Sequence, residues 1–280
     1  MNYSPYKTKE LLQNNNFNFK KKFGQNFIVD SNTIDGIINR ADIKEDTLVI
    51  EIGPGAGALT YKLCQHAKHV ICFEIDETLK PILENNLKGV SNVSIIFEDF
   101  LKADVKSVIK NYEFSKLYIV ANLPYYITTP IIVKVIEDKL NVDKLVVMVQ
   151  KEVGDRFKAK VGTKDYNSLS IFLNYHYDIK KIMDVSRKVF MPMPNVDSIV
   201  LELVKKETKY PLVSESHFFK LVKDSFVQKR KTIKNNLSNY NIQVIEEVLK
   251  KHNLDLTVRA ENIPLELFIE ISNELVKNDR

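Results

Sequence analysis

From residue 47 onward, short apolar runs alternate with segments whose apolar residues recur at helical spacing. Repeated strand–helix units of this kind indicate a parallel sheet with helices on both faces. Ser31 is a plausible N-cap for an earlier helix near 32–41. Strands are predicted near 47–52, 69–75, 93–97, 116–121 and 143–149. Helices are predicted between them near 57–66, 77–87, 128–138 and 150–158.

Two later apolar runs, Leu169–Tyr177 and Ser198–Val204, are also predicted to be strands, on either side of a proline-broken loop. Seven strands whose last pair is joined by a long loop predict a doubly wound, Rossmann-like α/β sheet with an antiparallel edge. Past residue 206 the pattern is helical throughout. We therefore expect an α/β domain over residues 1–205 and a small all-helical domain over 206–280. Helices of the second domain are predicted near 214–226, 230–237, 241–251 and 264–276.

The composition is that of an ordinary globular protein, with 44% hydrophobic and 28% charged residues among 280. No apolar run approaches the roughly 20 residues that span a bilayer, and the N-terminus has no secretory pattern. Neither the two cysteines nor the five histidines are spaced as a disulfide framework or metal ligands. The sequence therefore predicts a cytoplasmic protein with no metal site and no membrane partner.

The net charge of +5 is modest, but the basic residues are clustered. Clusters of this kind suit the phosphate backbone of a nucleic acid, although a solvated helix face is the plainer interpretation of either cluster alone. Lysines 20–22 form the first cluster, and the second consists of Lys220, Lys223, Lys229, Arg230, Lys231 and Lys234.

A glycine-rich turn, Gly53-Pro54-Gly55-Ala56-Gly57, follows the first predicted strand. Such a turn lets a ligand approach the backbone closely, and by itself it also fits the dinucleotide-binding motif of a dehydrogenase. Glu74, at the tip of the second strand, suits ribose hydroxyls in either case. Asp99, at the tip of the third strand, supplies an acceptor for an adenine amino group.

The fourth strand ends at Asn122-Leu123-Pro124-Tyr125. An adenine N6 attacks poorly because its lone pair is delocalised into the ring. Acceptors on both N6 hydrogens, the Asn122 side-chain oxygen and the Leu123 carbonyl, favour a pyramidal nitrogen with a localised lone pair. Pro124 stiffens the turn, and Tyr125 offers a ring on which the base can stack. The plainer alternative is an ordinary Asn/Pro turn.

A dehydrogenase has no use for Asp99 at its strand tip or for the Asn122–Tyr125 turn. Glycine-rich or acidic tips on three successive strands, with Asn122 on the fourth, predict that S-adenosylmethionine is the cofactor and methyl donor.

These motifs resemble those of the small-subunit ribosomal RNA adenine N6-dimethyltransferases, over nearly the whole chain. The resemblance implies a class I S-adenosylmethionine-dependent methyltransferase sheet. It also implies that Asn26 and the backbone of Ile28 contact the methionine part of the cofactor, and that Phe190 faces Tyr125 across the flipped adenine. Gly53, Gly55, Glu74, Asp99 and Asn122 fall within the cofactor-binding motifs. The matching segments are residues 21–27, 150–153 and 190–198.

Antibiotic-resistance methyltransferases of large-subunit RNA share many of these motifs. Residues 226–237 and Arg259-Ala260-Glu261 resemble the small-subunit enzymes more closely. Asn195, where a lysine is usual, and Tyr126, where a smaller polar residue often stands, depart from the pattern. Within the tail, Lys229, Arg230, Lys231 and Lys234 are the candidate RNA contacts.

The expected reaction is therefore N6-dimethylation of two adjacent adenines in small-subunit ribosomal RNA, and the number of methyl groups is implied by the family alone. The expected partner is that RNA or an immature small ribosomal subunit, bound by a monomer. Two alternatives stay open at this point, a large-subunit RNA methyltransferase and an RNA-binding assembly factor in which catalysis is secondary.

Overall fold

A computed structural model describes residues 19–20, 24–207 and 210–278. The described residues contain nine strands, β1 Phe27–Ile28, β2 Thr47–Ile52, β3 His69–Phe73, β4 Val93–Ile96, β5 Lys116–Asn122, β6 Lys144–Gln150, β7 Tyr177–Val185, β8 Phe190–Met191 and β9 Ser198–Lys205. Seven of them form one sheet in the order β4-β3-β2-β5-β6-β9-β7. Strands β2 to β6 run parallel to one another, and β9 is antiparallel to β6. The predicted seven-stranded, mostly parallel sheet is confirmed, and the antiparallel strand β9 lies between β6 and the edge strand β7.

The central strands are apolar because both of their faces are covered. Every residue of β2 is buried, and β5 and β6 are buried except at their ends. A strand buried on both faces reads as a continuous apolar run rather than as an alternation. The register pairs Ile52 with Phe73 and Asn122 with Met148. The carboxyl ends of β2, β3, β5 and β6 therefore meet at one edge of the sheet.

Helices of the α/β part follow the predicted positions within a few residues. One detail was wrong, since Asp30 rather than Ser31 caps the first helix, its carboxylate accepting the Thr33 N–H at 2.7 Å. A five-residue helix, Val105–Ile109, was not predicted. The helices are Ser31–Ala41, Ala58–Leu63, Lys80–Asn86, Val105–Ile109, Thr128–Glu137 and Lys151–Phe157.

The predicted strand Leu169–Tyr177 was wrong, because residues Ser168–His176 form a helix. The Asn167 side chain caps it by accepting the N–H groups of Leu169 and Ser170 at 2.9 and 3.2 Å. A short apolar, aromatic-rich run cannot be assigned to a strand or a helix from its periodicity. The seventh strand of the sheet is instead the following segment, Tyr177–Val185, which lies beside β9.

Contacts divide the chain into two compact units. The first contains the described residues up to Gly154 together with Lys180–Lys205, and the second contains Asp155–Ile179 and the described residues from Lys206 onward. This division departs from the predicted boundary at 205/206 because residues 155–179 group with the C-terminal helices. Within the second unit the Lys206 N–H donates to the His176 carbonyl at 2.8 Å, which joins the two segments.

The second unit has an apolar core of its own, which includes Ile171, Phe218, Ile245 and Phe268. Its C-terminal helices agree with the prediction, and their bounds are Glu215–Ser225, Ile233–Asn236, Ile242–Lys251 and Leu265–Asn278. None of the helices in the described part of the chain is long and apolar enough to cross a membrane.

Candidate active site

A cavity of about 190 Å³ opens at the carboxyl ends of β2, β3 and β5, within the first unit. The loop after a parallel strand is where α/β sheets bind ligands. Ten of the predicted site residues line this one cavity: Asn26, Ile28, Gly53, Gly55, Glu74, Asp99, Asn122, Leu123, Pro124 and Tyr125.

The turn after β2 depends on glycine at two positions. Gly53 and Gly55 have φ of +72° and +60°, in the left-handed region that favours glycine. A Cβ on Gly55 would lie 2.6 Å from the Phe27 ring, whereas a Cβ on Gly53 would meet nothing within 4 Å. Gly55 is therefore required for packing, and Gly53 keeps the backbone open to the cavity.

Glu74 is a buried carboxylate at the tip of β3. Its oxygens accept the N–H groups of Gly55 at 3.2 Å and Asp76 at 2.8 Å. Burial raises the pKa of Glu74 to about 6, and these backbone hydrogen bonds oppose the rise. Glu74 therefore ties the glycine turn to β3 and places a carboxylate on the cavity wall.

Asp99 follows β4 and lines the same cavity. Its Oδ1 accepts the Leu101 N–H at 3.0 Å, which fixes the carboxylate at the start of the loop. Among the residues that the structure describes, none donates a hydrogen bond to Oδ2. One carboxylate oxygen is thus left for a ligand.

The Asn122 side chain has a defined orientation. Its Nδ2 donates to the Asn26 carbonyl at 2.9 Å. No donor within residues 19–20, 24–207 and 210–278 reaches Oδ1, so the amide presents an acceptor to the cavity. Beyond it the Pro124 carbonyl accepts the Ile127 N–H at 3.1 Å and the Thr128 hydroxyl at 3.2 Å, which closes the turn.

The two predicted stacking rings lie in different environments. Tyr125 is half-buried on the cavity wall, with its hydroxyl 2.8 Å from that of Ser198. Phe190 is only 4% exposed and does not line the cavity. It belongs to the core cluster that includes Val200, and it pairs with Ile28 between β8 and β1. The structure therefore does not bring Phe190 into the cavity beside Tyr125, and its stacking role stays a prediction.

Sequence reasoning assigned no role to Glu51, which also lines the cavity. Its side chain is buried and accepts the Thr60 hydroxyl at 2.6 Å. Burial raises the pKa of Glu51 to about 8. Its place two residues before the glycine turn was visible in the sequence.

Tyr126, noted from the sequence only as a departure, lines the cavity with its side chain 55% exposed. The ring lies against Gly24, where an added Cβ would be 3.3 Å from it.

The candidate RNA contacts Lys229, Arg230, Lys231 and Lys234 are exposed residues of the second unit. The Lys229 ammonium hydrogen-bonds the Lys164 carbonyl. Of the N-terminal basic cluster, Lys20 pairs with Asp76 at 2.6 Å, and residues 21–23 lie outside the described residues. Across the described parts of the chain, no group of three or more His, Cys, Asp or Glu side chains could hold a metal ion.

Comparison with known proteins places the chain in a family. The model of the family "Ribosomal RNA adenine dimethylase" matches residues 16–277. Proteins named ribosomal RNA small subunit methyltransferase A are similar over nearly the full length. The protein from Bacillus mycoides is 45% identical over 98% of this chain and 97% of its own, and that from a Geobacillus species is 47% identical over 97% of each.

Solved structures agree with this assignment. A dimethyladenosine transferase from Plasmodium falciparum superposes with a TM-score of 0.76 at 27% identity, covering 89% of this chain and 97% of that one. The 23S rRNA methyltransferase ErmE has a TM-score of 0.69 at 25% identity, covering 90% and 100%. The chain therefore belongs to the ribosomal RNA adenine dimethylase family, and it is an S-adenosylmethionine-dependent methyltransferase with the class I fold, as the motifs predicted.

Proposed function

We propose that this protein transfers methyl groups from S-adenosylmethionine to N6 of two adjacent adenines in small-subunit ribosomal RNA. The observation that carries the proposal is the Asn122 amide, which is held by Asn26 so that its oxygen faces the strand-tip cavity. Relatives at 45–47% identity are named for the small subunit, which favours that substrate over large-subunit RNA.

The cavity residues fit the predicted methyl donor. Asp99, with one carboxylate oxygen available, would accept from the adenine amino group of the donor, and Glu74 would accept from its ribose hydroxyls. Gly53 leaves open space where a side chain would otherwise stand, and Asn26 and Ile28 line the side assigned to the methionine part. When bound, the cofactor supplies a methyl group already activated by a positively charged sulfur.

The protein's own part in the reaction is positioning. A target adenine must leave its stack, at a cost of a few kcal/mol, and stacking on Tyr125 offsets about 1–3 kcal/mol of this. The Asn122 Oδ1 and the Leu123 carbonyl accept the two N6 hydrogens and direct the lone pair toward the methyl carbon. Positioning of reacting groups can by itself supply a large part of an acceleration.

No strong general base is needed, because the amine becomes acidic once it is alkylated and water can take the proton. Since Phe190 is buried, we assign stacking to Tyr125 and keep Phe190 as a candidate that acts only if the loop around it moves.

The second unit supplies the RNA-binding surface in this proposal. Lys229, Arg230, Lys231 and Lys234 are exposed, and the contact between Lys229 and the Lys164 carbonyl brings a loop with further lysines beside them. A surface of this kind binds phosphates without reading sequence. We propose that it docks a monomer on the RNA of an immature small subunit in the cytoplasm.

The experiment that tests the function uses labelled S-adenosylmethionine and three substrates: immature small ribosomal particles, large particles, and free small-subunit RNA. Incorporation is followed by mass mapping of the methylated adenines. Dimethylation of two neighbouring adenines in the small particle supports the proposal. Incorporation into the large particle alone would identify the rival methyltransferase, and binding without any incorporation would favour an assembly factor.

A further inference from the structure

Asp76 lies two residues after Glu74 and has no part in the reaction described so far. Its side chain is 2% exposed and accepts from three residues. Oδ1 accepts the Lys20 ammonium and the Thr78 hydroxyl, each at 2.6 Å, and Oδ2 accepts the Gln25 amide at 2.7 Å. Lys20 also donates its backbone N–H to the Gln25 side-chain oxygen at 2.8 Å. The carboxylate thus anchors an N-terminal segment far away in sequence.

That segment forms one wall of the cavity, since residues 24–28 all line it. The next residue after Gln25 is Asn26, whose carbonyl accepts the Asn122 amide at 2.9 Å. The side-chain amide of Asn26 is itself occupied, because it donates to the Gly24 carbonyl at 3.0 Å. The backbone position of Asn26 therefore decides which way the Asn122 amide faces.

Asp76 is also connected to the cofactor side of the cavity, through Glu74, which lines it. Its backbone N–H donates to the Glu74 carboxylate at 2.8 Å. Asp76 consequently connects Glu74, the carboxylate assigned to the ribose, with the N-terminal wall of the cavity that orients Asn122. The carboxylate is charged at neutral pH, because burial raises the pKa of Asp76 but the hydrogen bonds from Lys20, Thr78 and Gln25 outweigh burial and hold it below the usual value. Charge-assisted hydrogen bonds of this type are stronger and shorter than neutral ones.

We propose that Asp76 is a positioning residue for methyl transfer: by holding Gln25 it holds the Asn26 carbonyl, and so it keeps the Asn122 oxygen turned toward the substrate amine. The inference rests on the proposed acceptor role of Asn122. An amide turned the other way would present its NH₂ group to the N6 amine, and two donors would face each other. Releasing the Gln25 anchor therefore lowers the fraction of enzyme with a productive amide.

The simpler possibility is that Asp76 only caps the turn that follows it, since it also accepts the Thr78 N–H at 3.2 Å. Two single variants separate the roles. Gln25→Ala removes the link to the cavity wall and leaves the turn intact, whereas Thr78→Val removes a hydrogen bond to the same carboxylate and leaves Gln25 in place. Both are milder than Asp76→Ala, which strips three partners from a buried site at once.

The measurement is the turnover number at saturating S-adenosylmethionine and RNA, together with the melting temperature of each variant. We expect Gln25→Ala to lower turnover about tenfold and Thr78→Val to change it less than about twofold. A role confined to the turn predicts that Thr78→Val has the larger effect, or that Gln25→Ala lowers only the melting temperature. Either result would overturn the inference.

A second background tests the coupling to Asn122 directly. In Asn122→Asp the side chain has two equivalent oxygens and no N–H group for the Asn26 carbonyl to hold, so the orientation that Asn26 imposes on Asn122 is already lost. Gln25→Ala should then change the remaining turnover by less than about twofold. An unchanged tenfold loss in that background would contradict the inference. The proposed function fails separately, if Asn122→Ala alone keeps near-normal turnover.

Discussion

The strand-tip cavity and the basic surface of the helical unit use polar side chains in opposite ways. In the cavity Glu74, Asp99 and Asn122 are each fixed by a hydrogen bond to the protein. On the second, helical unit Lys229, Arg230 and Lys231 have long, flexible side chains that are exposed to solvent. We therefore expect the function of the cavity to depend on exact geometry, and binding at the basic surface to depend on salt concentration. Polar groups held in a water-poor site act through preorganisation, while exposed charges act through long-range attraction that salt screens.

The largest expected effect is that of Asn122→Ala. It removes an acceptor from the reacting amine, and losing one preorganised partner of this kind costs about 10²–10³ in turnover. Affinity for S-adenosylhomocysteine, measured by calorimetry, should change only a few-fold, because the proposed function assigns the nucleoside to Glu74 and Asp99. Asn85→Ala, an exposed asparagine of the helix Lys80–Asn86, is the matched control. Near-normal turnover in Asn122→Ala would contradict the proposal that Asn122 accepts a hydrogen bond from the reacting amine.

Triple replacement of Lys229, Arg230 and Lys231 by Ala should give the next largest effect. We expect RNA affinity at low salt to fall tenfold or more, and the slope of log affinity against log salt to shrink by about 2 to 3, since each phosphate contact contributes roughly 0.7–0.9. Turnover at saturating RNA should change little.

A charge-matched control for the triple variant replaces Lys88, Lys106 and Lys110, exposed lysines of the first unit. If this control lowers affinity and salt slope equally, then net charge, and not the helical surface, attracts the RNA.

A smaller effect should appear when the cofactor site is titrated. Burial raises the pKa of Glu74 to about 6, and in the proposed function its carboxylate form accepts from the ribose hydroxyls of the donor. Affinity for S-adenosylhomocysteine should therefore be constant above pH 7 and fall below pH 6, by at most about tenfold per pH unit. Glu74→Gln should bind more weakly and lose the pH dependence over that range. A wild-type affinity that is flat between pH 7.5 and pH 5 would show that Glu74 does not hold the nucleoside.

The same carboxylate should make the free protein less stable as pH rises. A folded-state pKa raised above the unfolded value means that the folded chain binds more protons between the two values. The contribution of Glu74 to stability is then fully present below pH 4.5 and is lost as pH rises to about 6. Between these pH values the free energy of unfolding of Glu74→Gln, measured in urea, should change less with pH than that of the wild type.

The central part of the sheet was predictable because each buried strand is a continuous apolar run with a chemically distinctive residue at its tip. Gly53, Glu74, Asp99 and Asn122 could be found because parallel strands bring their carboxyl ends to one edge. Long-range side-chain contacts could not be found this way. Nothing in the local sequence links Gln25 to Asp76, which are 51 positions apart.

Other features depended on competition between local patterns. The run Leu169–Tyr177 suits a strand by composition, but the Asn167 cap starts a helix there. The family resemblance implies that Phe190 stacks on the target adenine, which requires an accessible ring. In the structure Phe190 lies in β8, which pairs with β1, and it is buried. Which unit the segment 155–179 joins is decided by tertiary packing and by hydrogen bonds such as Lys206 to His176.

The most direct measurement is a crystal structure of the protein with S-adenosylhomocysteine and a short RNA that presents an unstacked adenine. We expect the Asn122 Oδ1 to lie within hydrogen-bond distance of N6, about 2.7–3.2 Å, with its Nδ2 still on the Asn26 carbonyl and the sulfur beyond N6. A structure in which the nucleoside lies elsewhere, or in which Asn122 turns its amide nitrogen toward the base, would contradict the account.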